Sequence, residues 1–166
     1  MRYAAYNRKD EASVNIAEIL RMDFGHKEYE DGGDIVGFDD FLLYAKEFPY
    51  DPEVVLAASR HKSASGKPSL TAHVTGNFGS ADYGGNPGEL NVAPALYLRQ
   101  ALSTLKEKAQ DKGLDYEVSL EVTHHGPTTD TPLVFLEVGS TPKQWGDRKA
   151  CRSEERRVGK ECATGC

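Results

Sequence analysis

Residues 53–59, E-V-V-L-A-A-S, form a short apolar run without the alternation of a half-exposed strand. Such a run marks a strand covered on both faces, so the chain has to build layers on either side of a sheet. The run ends directly on Ser59-Arg60-His61, which places polar groups at a strand exit, where α/β domains carry their sites.

The flanking segments fill in the architecture. Met1–Asn7 predicts a strand, followed by a helix with Asp10 or Ser13 as N-cap and Val14, Ala17 and Leu20 on its apolar face. Residues 34–44 are two apolar bursts separated by Asp39-Asp40, the pattern of paired strands with a turn between them. Ser69–Thr75 alternates, with Leu70, Ala72 and Val74 on one face and Thr71, His73 and Thr75 on the other. Gly76–Gly88 holds too many glycines for a regular element and predicts a long binding loop. Ala95, Leu98, Leu102, Leu105 and Ala109 then repeat at helical spacing up to Gly113. Asp115–His125 alternates as a strand, Leu133–Val138 is apolar except for Glu137, and Ser140 or Thr141 caps a short helix entered at Pro142. Strands alternating with helices predict a three-layer α/β/α sandwich around a mixed sheet.

The histidines carry the chemistry. Four of five, His61, His73, His124 and His125, fall at strand ends or on strands, with Glu121 and Glu137 on neighbouring segments. A catalytic zinc takes about three ligands of this imidazole and carboxylate type and leaves one position open. Each histidine alone is equally compatible with a structural hydrogen bond. Strand parity sets His125 beside Glu121 and Thr123 and turns His124 toward the apolar side, as a satisfied core histidine, unless the Gly126-Pro127 turn breaks the alternation. Glu137 inside L-V-F-L-E-V requires a partner, a proton or a metal, because a lone buried carboxylate is costly. Arg60, Lys62 and Lys67 bracket His61 on a Ser/Gly loop that either holds a phosphate or is simply solvated. The glycines of 76–88 match no nucleotide-binding fingerprint; Asn77, Gly79, Gly84 and Gly85 are candidates for close backbone approach to a substrate.

All three cysteines, Cys151, Cys162 and Cys166, lie in the last 16 residues. The net charge is -6, and the body before Cys151 has 16 basic against 23 acidic residues, so broad phosphate gripping is excluded and any nucleic-acid contact is local. No apolar run approaches the roughly 20 residues of a membrane span, and the N-terminus lacks a signal-peptide core, so a cytoplasmic, monomeric protein without membrane or DNA partners is expected.

Four ordered segments, S-R-H-K-S-A-S-G-K-P-S-L-T-A-H-V-T-G-N-F-G (59–79), N-P-G-E-L-N-V-A-P-A (86–95), E-V-T-H-H-G-P-T (121–128) and F-L-E-V-G-S-T-P-K-Q-W (135–145), resemble the archaeal and plant D-aminoacyl-tRNA deacylases. The resemblance spans about residues 2–149 and implies a phosphorylase/hydrolase-like sandwich, zinc as cofactor, and hydrolysis of the ester between a D-amino acid and the 3′ end of tRNA. Under it, His61, His73, His125 and Glu121 become the expected metal ligands. His124, Glu137 and Thr123 become the expected catalytic groups, with His124 and Glu137 as proton shuttle and support, and tRNA is the partner of Arg60, Lys62 and Lys67.

The family's chain continues past residue 166 with a further glycine-rich segment carrying His and Tyr. Residues 151–166, C-R-S-E-E-R-R-V-G-K-E-C-A-T-G-C, are expected to be a disordered, non-native tail outside the core, leaving 1–150 as the N-terminal portion of the domain; a native cysteine-rich tail is the alternative. Two other functions fit the same residues: a zinc peptidase or amidohydrolase of related fold, and a binding module with structural histidines.

Overall fold

The computed structural model describes residues 1–153. Six strands, β1 (Arg2–Asn7), β2 (Ile35–Phe38), β3 (Val54–Arg60), β4 (Ser69–His73), β5 (Glu117–Leu120) and β6 (Leu133–Gly139), form one sheet in the order β2-β1-β3-β6-β4-β5. The first four in that order are mutually parallel; β4 runs antiparallel to β6, and β5 parallel to β4. The α/β class and the mixed sheet are those expected from the sequence.

Four helices, α1 (Glu11–Phe24), α2 (Ala95–Asp111), α3 (Pro142–Trp145) and α4 (Arg148–Cys151), contribute to one apolar cluster with Ala4, Leu56, Leu70, Ala72, Val134 and Leu136 of the sheet. All four therefore cover the same face. The opposite layer, among the described residues, consists of the 3-10 turns Tyr29–Asp31 and Leu42–Tyr44 with the adjoining loops, packed on Tyr3, Ala5, Val55, Ala57 and Phe135.

Local chemistry explains the helix boundaries. Asp10 is the N-cap of α1 and accepts from the Ser13 N–H, and Gly25 in the left-handed region closes the helix. Ser13 is buried; its Oγ donates to the Ala58 carbonyl at 2.6 Å and accepts from the Asn7 N–H at 2.8 Å, stitching α1 to β3 and β1. In α2 Leu105 and Ala109 of the predicted stripe are buried, Leu98 and Leu102 are half-buried and Ala95 is exposed, while Ala101, outside the prediction, is buried with them. A capping box between Thr141 and Gln144 starts α3; of the two caps offered by the sequence, Ser140 and Thr141, the helix uses Thr141.

Three expectations change. Leu42–Tyr44 form a 3-10 turn in place of a second strand. Asn7 Nδ2 donates to the carbonyls of Phe38 and Asp40, and Arg8 and Lys9 pair with Asp39 and Asp40, so the chain is pulled off the sheet edge directly after β2. The strand expected over 115–125 stops at Leu120, because only four residues find a partner on β4. Cys151 is 1% exposed in the helix-covered core, and Ser153 is buried, so the boundary drawn before Cys151 falls inside the packed body. Residues 154–166 of the expected tail lie outside the described residues.

Candidate active site

On the sheet face away from the helices, the apolar surface gives way to polar groups over β3, β6, β4 and β5. Register explains the convergence: Glu137 of β6 lies between Ser59 of β3 and Thr71 of β4, and His73 of β4 lies beside Phe135 of β6. His61 follows β3 by one residue, and its N–H donates to the Val138 carbonyl. Glu121 follows β5 by one residue, and its N–H donates to the Ala72 carbonyl. Alternation at period 2 thus turns all of these side chains to one side.

His124 and His125 reach the site by leaving the strand. His125 has φ 44°, in the left-handed region, which ends the alternation and brings both rings to His73. The ring centroids lie 4.2 Å (His73–His124), 4.7 Å (His73–His125) and 4.5 Å (His124–His125) apart. His124, whose side chain is 45% exposed, is therefore not the core histidine that strand parity predicted. The turn is held where glycine allows close approach: a Cβ on Gly126 would lie 2.4 Å from the Leu43 carbonyl oxygen and the Gly85 nitrogen.

Six side chains form two groups, each with three donor atoms within 4.8 Å of one another: His73, His124 and His125, and His61, Glu121 and Glu137. In the first group every Nδ1 faces a backbone carbonyl, of Val74 at 3.0 Å, Val122 at 2.7 Å and Gly126 at 2.6 Å. A carbonyl can only accept, so each Nδ1 carries a proton, and in the neutral ring the Nε2 presents a lone pair. This is the orientation that metal-binding histidines adopt when backbone carbonyls fix their tautomer.

The carboxylates join the groups. Glu137 is 4% exposed and places Oε2 3.4 Å from His61 Nδ1 and Oε1 3.9 Å from His73 Nε2. Glu121 places Oε1 3.0 Å from His61 Nδ1 and Oε2 3.7 Å from His124 Nε2. The short Glu121–His61 contact lacks hydrogen-bond alignment, and Glu121 Oε1, His73 Nε2 and Thr71 Oγ1 are buried without a hydrogen-bond partner. Buried polar atoms left in this state are costly, and a cation between them would satisfy the first two.

Charge follows the same pattern. Glu121, then Glu137, pushes His61 up to about 10 against the opposing effect of burial. Burial pushes His125 down to about 4, reinforced by His73, so this ring is neutral near pH 7. Burial opposes charge on His73, but Glu137 outweighs it and raises the pKa. Burial raises both carboxylates; His61 and His73 more than reverse this at Glu137, and His61 with Thr71 does so at Glu121, leaving both below the ordinary range.

A cleft of about 680 Å³ opens over these groups between the Leu42–Tyr44 turn and the exit of β3. Arg60 and Lys62 line it, whereas Lys67 does not. Arg60 lies between the rings of Phe41 and Trp145, 5.1 Å from each centroid, with Nε 3.6 Å from Asp10. A smaller cleft of about 240 Å³ adjoins it and is lined by Asn77 and Thr123 among others. Gly79, Gly84 and Gly85 line neither. Gly84 instead abuts the Leu43 carbonyl, where a Cβ would come within 2.1 Å, and Asn77 Nδ2 ties the loop together through the carbonyls of Gly84 and Asn86.

Four neighbours of the site escaped the sequence reading as functional residues. Thr71 was assigned only to a polar strand face. Phe135 stacks on His73 at 5.3 Å, Trp145 Nε1 donates to the His61 carbonyl at 2.9 Å, and Tyr83 lines both clefts. The apolar sequence around Phe135 signals core alone, and nothing local marks the other two.

Comparison with known proteins places the chain in a family. The family model described as D-aminoacyl-tRNA deacylase matches residues 48–161, which includes every histidine and carboxylate of the site. A curated D-aminoacyl-tRNA deacylase from Methanococcoides burtonii is 44% identical over 126 residues, covering 75% of this chain and 24% of that protein. One from Pyrococcus abyssi is 33% identical over 170 residues, covering 90% of this chain and 61% of that protein. A crystal structure of a conserved protein of unknown function, AF0625, superposes with a TM-score of 0.84 at 31% identity, covering 95% of this chain and 61% of that one. The chain thus spans between about a quarter and three-fifths of the length of these relatives. By the extent of the family match, which takes in more than half of its residues, the chain belongs to the D-aminoacyl-tRNA deacylase family.

Proposed function

We propose that this site hydrolyses the ester between a D-amino acid and the 3′ end of tRNA, with zinc as cofactor. The observation that carries the metal assignment is the clustering of His73, His124 and His125, each with Nδ1 on a backbone carbonyl and one ring nitrogen from each within 4.8 Å of the others, beside two carboxylates. These three histidines are the assigned holders, and His61, Glu121 and Glu137 form an adjoining donor group. This regroups the ligands expected from sequence, where His61 and Glu121 stood with His73 and His125. A bound zinc ion supplies Lewis acidity toward the ester carbonyl.

The chain's own residues account for the proton traffic. Glu121 borders both groups and is the carboxylate positioned to take the proton of an attacking water. Glu121 first, and Glu137 buried beneath it, keep His61 charged through Nδ1. The remaining ring N–H of His61, at Nε2, is then the donor for the oxygen that becomes negative as water adds to the carbonyl. Cleavage of the ester C–O bond releases the free amino acid, and the proton taken by Glu121 passes to the leaving 3′ oxygen to give the tRNA hydroxyl. Thr123, on the wall of the smaller cleft, is assigned to positioning the substrate. Arg60 and Lys62 give an otherwise acidic body a local phosphate contact, consistent with binding only the acceptor end. A monomer in the cytoplasm is the setting we assign to this activity; among the described residues no helix is long and apolar enough to cross a membrane.

Zinc binding tests the assignment apart from catalysis. Dialysis against zinc followed by metal analysis is expected to load the wild-type chain and raise its Tm, and to fail for His73→Ala combined with His125→Ala. Equal zinc content and equal thermal shift in the double variant would remove the histidine group from the metal site.

A further inference from the structure

We infer that the smaller cleft seats the amino acid of the substrate, with Asp82 as partner of its α-ammonium group and Phe78 and Tyr83 as walls for its side chain. The inference rests on the ester-hydrolase reading above and assigns the two halves of that substrate to two cavities. The clefts share Tyr83, His124 and His125, so the reacting carbonyl belongs at their junction and each half of the substrate lies to one side.

Size and charge decide which half goes where. The larger cleft, about 680 Å³, carries Arg60 and Lys62 and suits a nucleotide with its phosphate. The smaller, about 240 Å³, falls below the roughly 300–1,000 Å³ of pockets for drug-sized ligands, which suits one amino acid. Asp82 is the one carboxylate among its lining residues. Ser80 Oγ donates to Asp82 Oδ2 at 3.1 Å, which fixes the carboxylate and leaves Oδ1 to accept from an ammonium. Phe78 and Tyr83, 71% and 69% exposed, supply aromatic surface that no core contact explains.

The cleft is held open by backbone ties. The Gly76 N–H donates to the His125 carbonyl at 2.9 Å and the Gly126 N–H to the Tyr83 carbonyl at 3.0 Å, joining the glycine-rich loop to the histidine turn. With the carbonyl at the histidines and the ammonium at Asp82, the direction of the third substituent on the α-carbon is set. Such three-point seating separates enantiomers.

Titration of isotope-labelled protein, followed by amide chemical shifts, tests the assignment without relying on ester cleavage. D-tyrosinamide, which has the ammonium but no ester, is expected to shift Phe78, Tyr83 and Thr123, and the trinucleotide CCA to shift Arg60 and Lys62. Asp82→Asn should weaken D-tyrosinamide about fivefold and leave CCA unchanged, with an otherwise superposable spectrum confirming the fold. N-acetyl-D-tyrosinamide and L-tyrosinamide should both bind more weakly than D-tyrosinamide. Shifts centred on Arg60 and Lys62, equal binding of the acetylated ligand, or no shift in the smaller cleft at millimolar D-tyrosinamide would each overturn the inference. If the expected pattern appears while charged tRNA is left intact, the subsite stands and the hydrolase reading fails.

Discussion

The two faces of this sheet are built from the same strands and are treated oppositely by the rest of the molecule. Leu136 and Glu137 are neighbours in β6, each at most 4% exposed. Leu136 faces four helices and an aliphatic cluster, and Glu137 faces two histidines and a cleft. The helix-covered face derives its stability from close packing, whereas the other gathers polar groups that meet one another incompletely. A strand with alternating duties lets the core fix the site, because any shift of β6 that misplaced Glu137 would also expose Leu136.

That contrast predicts separable failures. Glu137→Gln keeps the shape but loses the charge that faces His61 and His73; deacylation measured on D-tyrosyl-tRNA should fall about 10²–10⁴-fold while the urea midpoint moves far less. Leu136→Ala should cost about 2–5 kcal/mol in urea unfolding, with the activity of the remaining folded fraction preserved. Trp145→Phe removes the donor to the His61 carbonyl and should cost about 0.5–1.5 kcal/mol, together with a measurable drop in kcat from a less fixed His61. Cys151→Ala, deep in the helix-covered face, should cost about 1 kcal/mol and leave kcat alone; a null effect on stability would restore the boundary drawn before this residue. Lys67→Ala should change stability by less than about 0.5 kcal/mol and leave KM for charged tRNA unaltered, in contrast to Lys62→Ala, because Lys67 lies outside the cleft.

The sequence made most of this arrangement legible where periodicity was strong. The run through Val54–Arg60, the stripe of α2 and the Asp10 cap each specify local geometry that tertiary packing did not override. The histidine and carboxylate set was also readable, since Thr71, His73 and Glu137 share parity with facing residues of adjacent strands. Other features depended on partners distant in the chain. A three-residue apolar burst at Leu42–Tyr44 is equally compatible with strand and turn, and the hydrogen bonds of Asn7 decide between them. His124 was misplaced because alternation was extended through His125, whose left-handed backbone depends on contacts among Gly126, Gly85 and Leu43. The cysteines of the last segment suggested a foreign tail, but composition carries no information about Cys151 packing beneath α1 and Trp145.

The most direct test is release of D-tyrosine from D-tyrosyl-tRNA by this chain before chelation, after chelation and after zinc is restored, with L-tyrosyl-tRNA as control. The account predicts release of the D-amino acid alone, loss on chelation and recovery with zinc. Cleavage that is indifferent to chelation, equal cleavage of both enantiomers, or an intact D-ester in the presence of folded, zinc-loaded protein would contradict it.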